Sequence, residues 1–220
     1  MTVQTPPTAR TDAPPMPARP VAAAAVEQRV TPLQFRLAGV AAFVLLGVAA
    51  LFTALPWPID ADGYLGDDVA AVTSAASLAV VIGIALRGGA FGTGRGWRAT
   101  GAVALAALLG STAFLAIGPL LPEALLERIE LVTSPLVLGA FWLAAVGILT
   151  VGRWRGPARA LPFLTASWPM SVVGVVLFGG AEVGEAAWLA YVIHLGVGQA
   201  LTAIALIVDA RRLAAASRAA

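Results

Sequence analysis

Long apolar stretches separated by short polar segments make up this chain from about residue 37 onward. Six stretches are long enough to cross a bilayer, at about 37–55, 69–86, 99–118, 135–151, 161–179 and 185–208. A helix needs about 20 mainly apolar residues to span about 30 Å of hydrocarbon. The pattern therefore predicts an all-α integral membrane bundle of six transmembrane helices.

Charge alternates between the polar segments. All arginines except Arg128 lie before the first span, between the second and third, between the fourth and fifth, or after the sixth. Arginine excess marks cytoplasmic loops, so both termini are predicted to be cytoplasmic. The other segments carry acidic residues: Asp60, Asp62, Asp67, Asp68, Glu123, Glu127, Glu130, Glu182 and Glu185.

The chain divides into three regions. Residues 1–33 are rich in proline and alanine without a periodic apolar face, and we predict a disordered cytoplasmic tail. The transmembrane domain is predicted over residues 34–212, followed by a cytoplasmic C-terminal tail over 213–220. All 14 basic residues are arginine. With much alanine and glycine, this suggests a GC-rich bacterial genome, and hence a multi-pass protein of the bacterial cytoplasmic membrane.

Composition narrows the chemistry. The chain is 59% apolar and 12% charged, against about 45–50% and about 25% in soluble domains. It has no cysteine, which excludes disulfides, thiolate metal sites and cysteine nucleophiles. It has no lysine, which excludes a lysine-linked cofactor. The net charge of +2 gives no reason to expect nucleic-acid binding, whereas the arginine-rich inner loops suit anionic lipid headgroups.

The segment PWPIDADGYLGDD, residues 56–68, concentrates aspartates between the first two spans. It lacks the glycine and glutamate spacing of a calcium loop, since Gly63 is fourth from Asp60 and the twelfth position is Ala71. We interpret it as a solvated outer loop, with loose binding of a divalent ion as the alternative.

The third and fourth spans are joined by a segment in which three glutamates share one helical face. This spacing predicts a short amphipathic helix on the outer surface. Ser134 would then cap the fourth span, with Pro135 in its first turn. The alternative is one longer helix that begins earlier.

Spans five and six carry the most polar groups. Pro169 lies near the middle of span five and leaves the carbonyl of Thr165 without its helical donor. Counting inward from the outer ends places His194 level with Ser171 and Gln199 level with Thr165, so we expect these groups to share hydrogen bonds. The candidate ligand-binding residues are His194, Gln199, Tyr191, Thr165, Ser167, Trp168 and Ser171.

This polar cluster has several interpretations. It is either structural, with each bond worth about 1 kcal/mol, or a ligand pocket or narrow polar path, or a histidine switch near neutral pH. One histidine offers a haem only one axial ligand per chain, and we predict no cofactor and no metal site.

The absence of charged residues and catalytic motifs from the predicted spans limits the possible functions. No Asp, Glu or Arg lies deep in a predicted span, whereas pumps and ion-coupled carriers usually keep an intramembrane carboxylate. No hydrolase motif is present. We therefore predict a non-enzymatic subunit or regulator that acts through a membrane partner or a second copy of the chain. The alternative is a small-molecule or lipid transporter with a polar site between spans five and six, and an integral membrane enzyme is the third hypothesis.

Small residues at four-residue spacing predict faces where helices can approach closely. They occur at Ala102, Ala106 and Gly110 in the third span and at Ala140 and Ala144 in the fourth, and Gly39, Phe43 and Gly47 mark a groove on the first. Such a face can serve packing within the monomer or between copies.

Overall fold

A computed structural model of the protein describes residues 30–54, 65–151, 154–178 and 183–219. These residues form helices and no strands, which confirms the all-α prediction. The helices are α1 (Pro32–Ala54), α2 (Leu65–Arg87), α3 (Arg95–Ile117), α4 (Glu123–Val151), α5 (Pro157–Ala166), α6 (Trp168–Phe178) and α7 (Val183–Ala219), with a 3-10 turn at Gly118–Leu120.

Five of these helices are long and apolar enough to cross a membrane. Helices α5 and α6 are bent by 45° at a short break and count as a sixth span when taken together. The predicted number of spans is thus matched by five continuous helices and one broken one. Helix α7 continues to Ala219, through most of the segment that we predicted as a C-terminal tail. The predicted disordered tail lies almost wholly outside the described residues.

The predicted separate helix before span four is wrong. Helix α4 is continuous from Glu123 to Val151, and Pro135 lies inside it instead of starting a new helix. Its first turn begins at Pro122, whose carbonyl accepts the amides of Leu125 and Leu126. Proline is tolerated inside transmembrane helices because neighbouring groups and local adjustments satisfy the carbonyl that it frees.

Two aspartates of the segment 56–68 lie in helix α2 and not in the predicted loop. Asp67 and Asp68 lie in the first turns of α2, which begins at Leu65 and not at residue 69. Negative charge is favourable near a helix N-terminus, so their position has a structural explanation. Asp60 and Asp62, and the rest of the proposed ion-binding loop, lie outside the described residues.

The helices form a ring in chain order. Helices α1, α2 and α3 each pack on the next helix in the chain, and α4 packs on α5. Both α5 and α6 pack on α7, which in turn packs on α1. At one end of this ring lie Arg36, Arg87, Arg95 and Arg211, and we call this end the arginine-rich side. The opposite end, where α2 begins and α3 ends, is the acidic side.

The core occupies only half of this ring. Apart from Ala49, the buried hydrophobic residues of the helices lie between the arginine-rich side and about the midpoint of each helix. Representative members are Ile82, Ala104, Leu108, Ala144, Ile148, Ala203 and Leu206. The packed interior therefore belongs to the arginine-rich half.

The interior of the acidic half is looser. On α3, Ser111, Thr112 and Leu115 continue the buried face beyond Leu108, since residues three and four apart share a face. All three are only partly buried. The same change occurs on α7, where Val192, Leu195 and Gly196 are partly buried. The helices therefore leave their inward faces accessible on the acidic side.

A helix cap and an aromatic contact lie at the arginine-rich side. The Thr31 hydroxyl oxygen accepts the Gln34 amide at 3.3 Å, and the Gln34 side chain accepts the Thr31 amide at 2.9 Å. This reciprocal pair is a capping box, which fixes the first turn of α1. One turn on, Phe35 meets Trp154 edge-on with ring centroids 6.1 Å apart.

Candidate functional site

The break between α5 and α6 is centred on Ser167. Its amide donates to the carbonyls of Phe163 at 3.0 Å and Leu164 at 3.2 Å, and its hydroxyl donates to Leu164 at 2.7 Å. Pro169 has no amide proton, so the carbonyl of Thr165 lacks its helical donor. The break lies where the sequence predicts it, although Pro135 shows that a proline inside an apolar span does not always interrupt the helix.

His194 joins α7 to both sides of the break. Its Nε2 lies 2.6 Å from the carbonyl oxygen of Leu164, and its Nδ1 lies 2.7 Å from the Ser171 hydroxyl. A carbonyl oxygen can only accept, so Nε2 carries a proton. In the neutral ring Nδ1 is then the acceptor, and Ser171 donates to it. The predicted contact between His194 and Ser171 is confirmed.

Trp168 and Tyr191 form an aromatic pair beside this contact. Their ring centroids are 4.7 Å apart and the planes meet at 75°, an edge-to-face arrangement. Such pairs contribute about 0.5–1.5 kcal/mol beyond the area they bury. The pair fastens the start of α6 to α7 one turn from His194.

Thr165 lies at a close approach of α5 to α7. Its hydroxyl is 3.3 Å from that of Thr202, while each hydroxyl also donates to a carbonyl of its own helix at 2.8 Å. A hydroxyl has one proton, so the contact between the threonines competes with these backbone bonds. A Cβ added at Gly198 would lie 2.7 Å from the Thr165 oxygen. Glycine at position 198 is what permits the approach.

Gln199 does not join this cluster, and the prediction that it meets Thr165 is wrong. Its Nε2 donates instead to the Ser74 hydroxyl of α2 at 3.0 Å, and the residue is 2% exposed. Successive helical residues are about 100° apart around the axis. His194, Gly198 and Thr202 therefore face α5 and α6, while Gln199 faces α2.

The site residues thus separate into two groups. Six of the seven, namely His194, Tyr191, Thr165, Ser167, Trp168 and Ser171, lie along the contact of α7 with α5 and α6. Gln199 lies across the ring with Ser74, a residue that the sequence reasoning missed. A serine at about mid-depth of an apolar span was the available signal. Whether either group binds a ligand stays a prediction.

The chemistry of these groups is hydrogen bonding between neutral side chains. Among the described residues no group of three or more histidine or acidic side chains is placed to hold a metal ion. Ser171 and His194 have the separation of a nucleophile and its base, and the Leu164 carbonyl orients the ring. The same bonds also connect three helices, which is their evident structural effect.

The fold and the site define a polytopic helical membrane protein. Comparisons with protein-family models, curated proteins and solved structures found no match to this chain. Its activity must therefore be argued from its own geometry.

Proposed function

We propose that the protein is a non-enzymatic subunit or regulator that acts through another transmembrane protein. The arginine distribution supports an orientation with both termini on the cytoplasmic side. The partner meets the acidic half of the ring, where the monomer has little core of its own. One observation carries this proposal, namely the contrast between the glycines of the two halves.

Several glycines inside the helices of the arginine-rich half are tightly packed, although Gly96 at the end of α3 is open. A Cβ would come within 2.7 Å of Ile207 at Gly39, of Phe91 at Gly101 and of Trp97 at Gly147. Helical glycines nearer the acidic side have no atom of the described residues within 4 Å of the same point: Gly47, Gly110, Gly139, Gly174, Gly184 and Gly196. The monomer uses the first group for close helix contacts and leaves the second group without a neighbour.

Lipid does not require these glycines. Glycine costs about 1 kcal/mol relative to alanine in a helix interior, and a lipid-facing position gains nothing in return. Small residues in membranes favour close helix association. On α3, Ala106 and Gly110 lie opposite the buried face of Ala104 and Leu108. This outward face suits another helix.

Native mass spectrometry of the protein drawn gently from its own membrane tests the proposal. The expected result is a stoichiometric complex with a second polypeptide. Gly110→Leu should abolish it without unfolding the monomer, because the position is open. Gly96→Leu is the matched control, since Gly96 is equally open but lies at the arginine-rich end of α3. A lone chain, or equal behaviour of the two variants, would refute the proposal.

The partly accessible interior of the acidic half favours a second candidate, a small-molecule or lipid transporter. A solute entering from the acidic side would meet the break in α5 and α6 and the His194 contacts at the floor. His194→Leu and Gln199→Leu should then abolish transport while the protein still assembles. Unchanged transport in both variants would remove this candidate.

The proposal of a non-enzymatic role has its own test. The contact between Ser171 and His194 is the described pair whose separation fits a nucleophile and its base. A serine-directed fluorophosphonate should therefore leave Ser171 unmodified in the membrane-embedded protein. Labelling that disappears in His194→Gln would show an activated serine and would overturn the proposal.

A further inference from the structure

Besides the second N–H of Gln199, the pair formed by Gln199 and Ser74 has two unused hydrogen-bonding capacities. The Oε1 atom of Gln199 is buried and has no hydrogen-bond partner within the described part of the chain. Ser74 accepts the amide proton of Gln199, and no acceptor for its own hydroxyl proton is found among the same residues. One acceptor and one donor therefore remain, on two side chains that are already bonded to each other.

We propose that Gln199 and Ser74 form a binding site for one hydroxyl group, that of a buried water molecule or of an alcohol. The hydroxyl donates its proton to Oε1 of Gln199 and accepts the proton of Ser74. These two bonds close a ring with the existing 3.0 Å bond from Nε2 to the Ser74 oxygen. Every polar atom of the pair is then satisfied.

The free-energy balance favours occupancy. A buried polar group without a partner costs about 1–3 kcal/mol, and buried waters typically make about three hydrogen bonds to such groups. Inside a bilayer no bulk solvent relieves the cost. Binding of any small group that both donates and accepts a hydrogen bond is therefore favourable at this site.

The surroundings select a neutral ligand over a cation. Asp68 is six residues from Ser74 along α2, about 9 Å at 1.5 Å per residue, and Asp209 is ten residues from Gln199 along α7, about 15 Å. Among the acidic residues whose side chains the structure describes, none lies near enough to coordinate a cation at Oε1. Such a cation would lack a counter-charge from these residues at mid-membrane, which is costly.

Access is available from the acidic side. Gln199 and Ser77 are the buried polar residues of α7 and α2 nearest to that side. Beyond them, Ala70 and Thr73 of α2 and Leu195 of α7 are only partly buried. The proposed route of a small molecule to the pair therefore runs through the loosely packed half and avoids the core. The inference holds whether or not a protein partner is present.

Water-edited solid-state NMR of the protein in lipid bilayers tests the site, with glutamine and leucine side chains labelled. Magnetisation from water should reach the Gln199 side chain although the residue is 2% exposed, and should not reach the buried Leu206 within the same mixing time. Gln34, in the solvent-facing cap of α1, gives the reference build-up. Ser74→Ala should slow the transfer to Gln199 at least twofold, and Gln199→Leu assigns the signal.

The source of the hydroxyl follows from native mass spectrometry on the same protein. Transfer from water with no bound small molecule identifies a water. A bound molecule that is lost in Ser74→Ala and Gln199→Leu identifies an alcohol. A dry Gln199 with no bound molecule, or transfer unchanged in Ser74→Ala, would overturn the proposal.

Discussion

The contact of α5 with α7 depends on the absence of a side chain at position 198, and Gly198→Ala is the most direct test of it. The added Cβ would lie 2.7 Å from the Thr165 hydroxyl oxygen and 2.9 Å from its Cα. The Cα belongs to the backbone, so no rotamer change relieves the overlap. The two helices must move apart, and the 3.3 Å contact between Thr165 and Thr202 lengthens with them.

The magnitude follows from two opposing effects. Overpacking a close contact costs about 1–3 kcal/mol, whereas alanine gains about 1 kcal/mol over glycine in a helix interior. Gly198→Ala should therefore lower the unfolding free energy by up to about 2 kcal/mol. Gly196→Ala, two residues away on the same helix, meets nothing within 4 Å. It should be neutral or stabilising by up to about 1 kcal/mol.

The difference between these two variants isolates the contact, because the gain in helix propensity is common to both. Unfolding by sodium dodecyl sulfate in mixed micelles, followed by circular dichroism, measures it. We expect Gly198→Ala to be about 1–3 kcal/mol less stable than Gly196→Ala. Equal stabilities would mean that α5 and α7 do not approach each other at Thr165, and would refute the described packing.

Three further predictions concern other parts of the molecule. His194→Leu removes two hydrogen bonds and Ser171→Ala one, so losses of about 1–2 and about 1 kcal/mol are expected in the same unfolding assay; a larger loss for Ser171→Ala would contradict the assigned contacts. Thr31→Ala removes the capping box and should destabilise the first turn of α1 by about 1 kcal/mol. Hydrogen exchange should then be faster in that turn alone, and an unchanged rate would exclude the cap. Replacing Arg95 and Arg98 by glutamine should weaken retention of anionic lipid by about 1 kcal/mol per arginine, measured by native mass spectrometry against neutral lipid, and equal retention of both lipids would refute headgroup binding.

The sequence by itself determined the helical class and the number of spans, and it predicts the side on which each end lies. These properties depend on hydropathy and arginine placement, which act on each segment separately. The depth of each residue within its span could also be counted from the sequence, because residues advance by a fixed rise along a helix. Counting inward was therefore enough to place His194 beside Ser171.

Only the tertiary structure decided which helix each polar side chain faces. Gln199 has nearly the predicted depth but points to Ser74 of α2. The rotation of α7 about its axis is set by two close contacts, that of α7 with Gly39 of α1 and that of Gly198 with α5. Those contacts join residues far apart in the chain, and the spacing of small residues does not show which helix each one meets. The continuity of α4 through Pro135 and the restriction of the core to the arginine-rich half are likewise results of how the helices pack together.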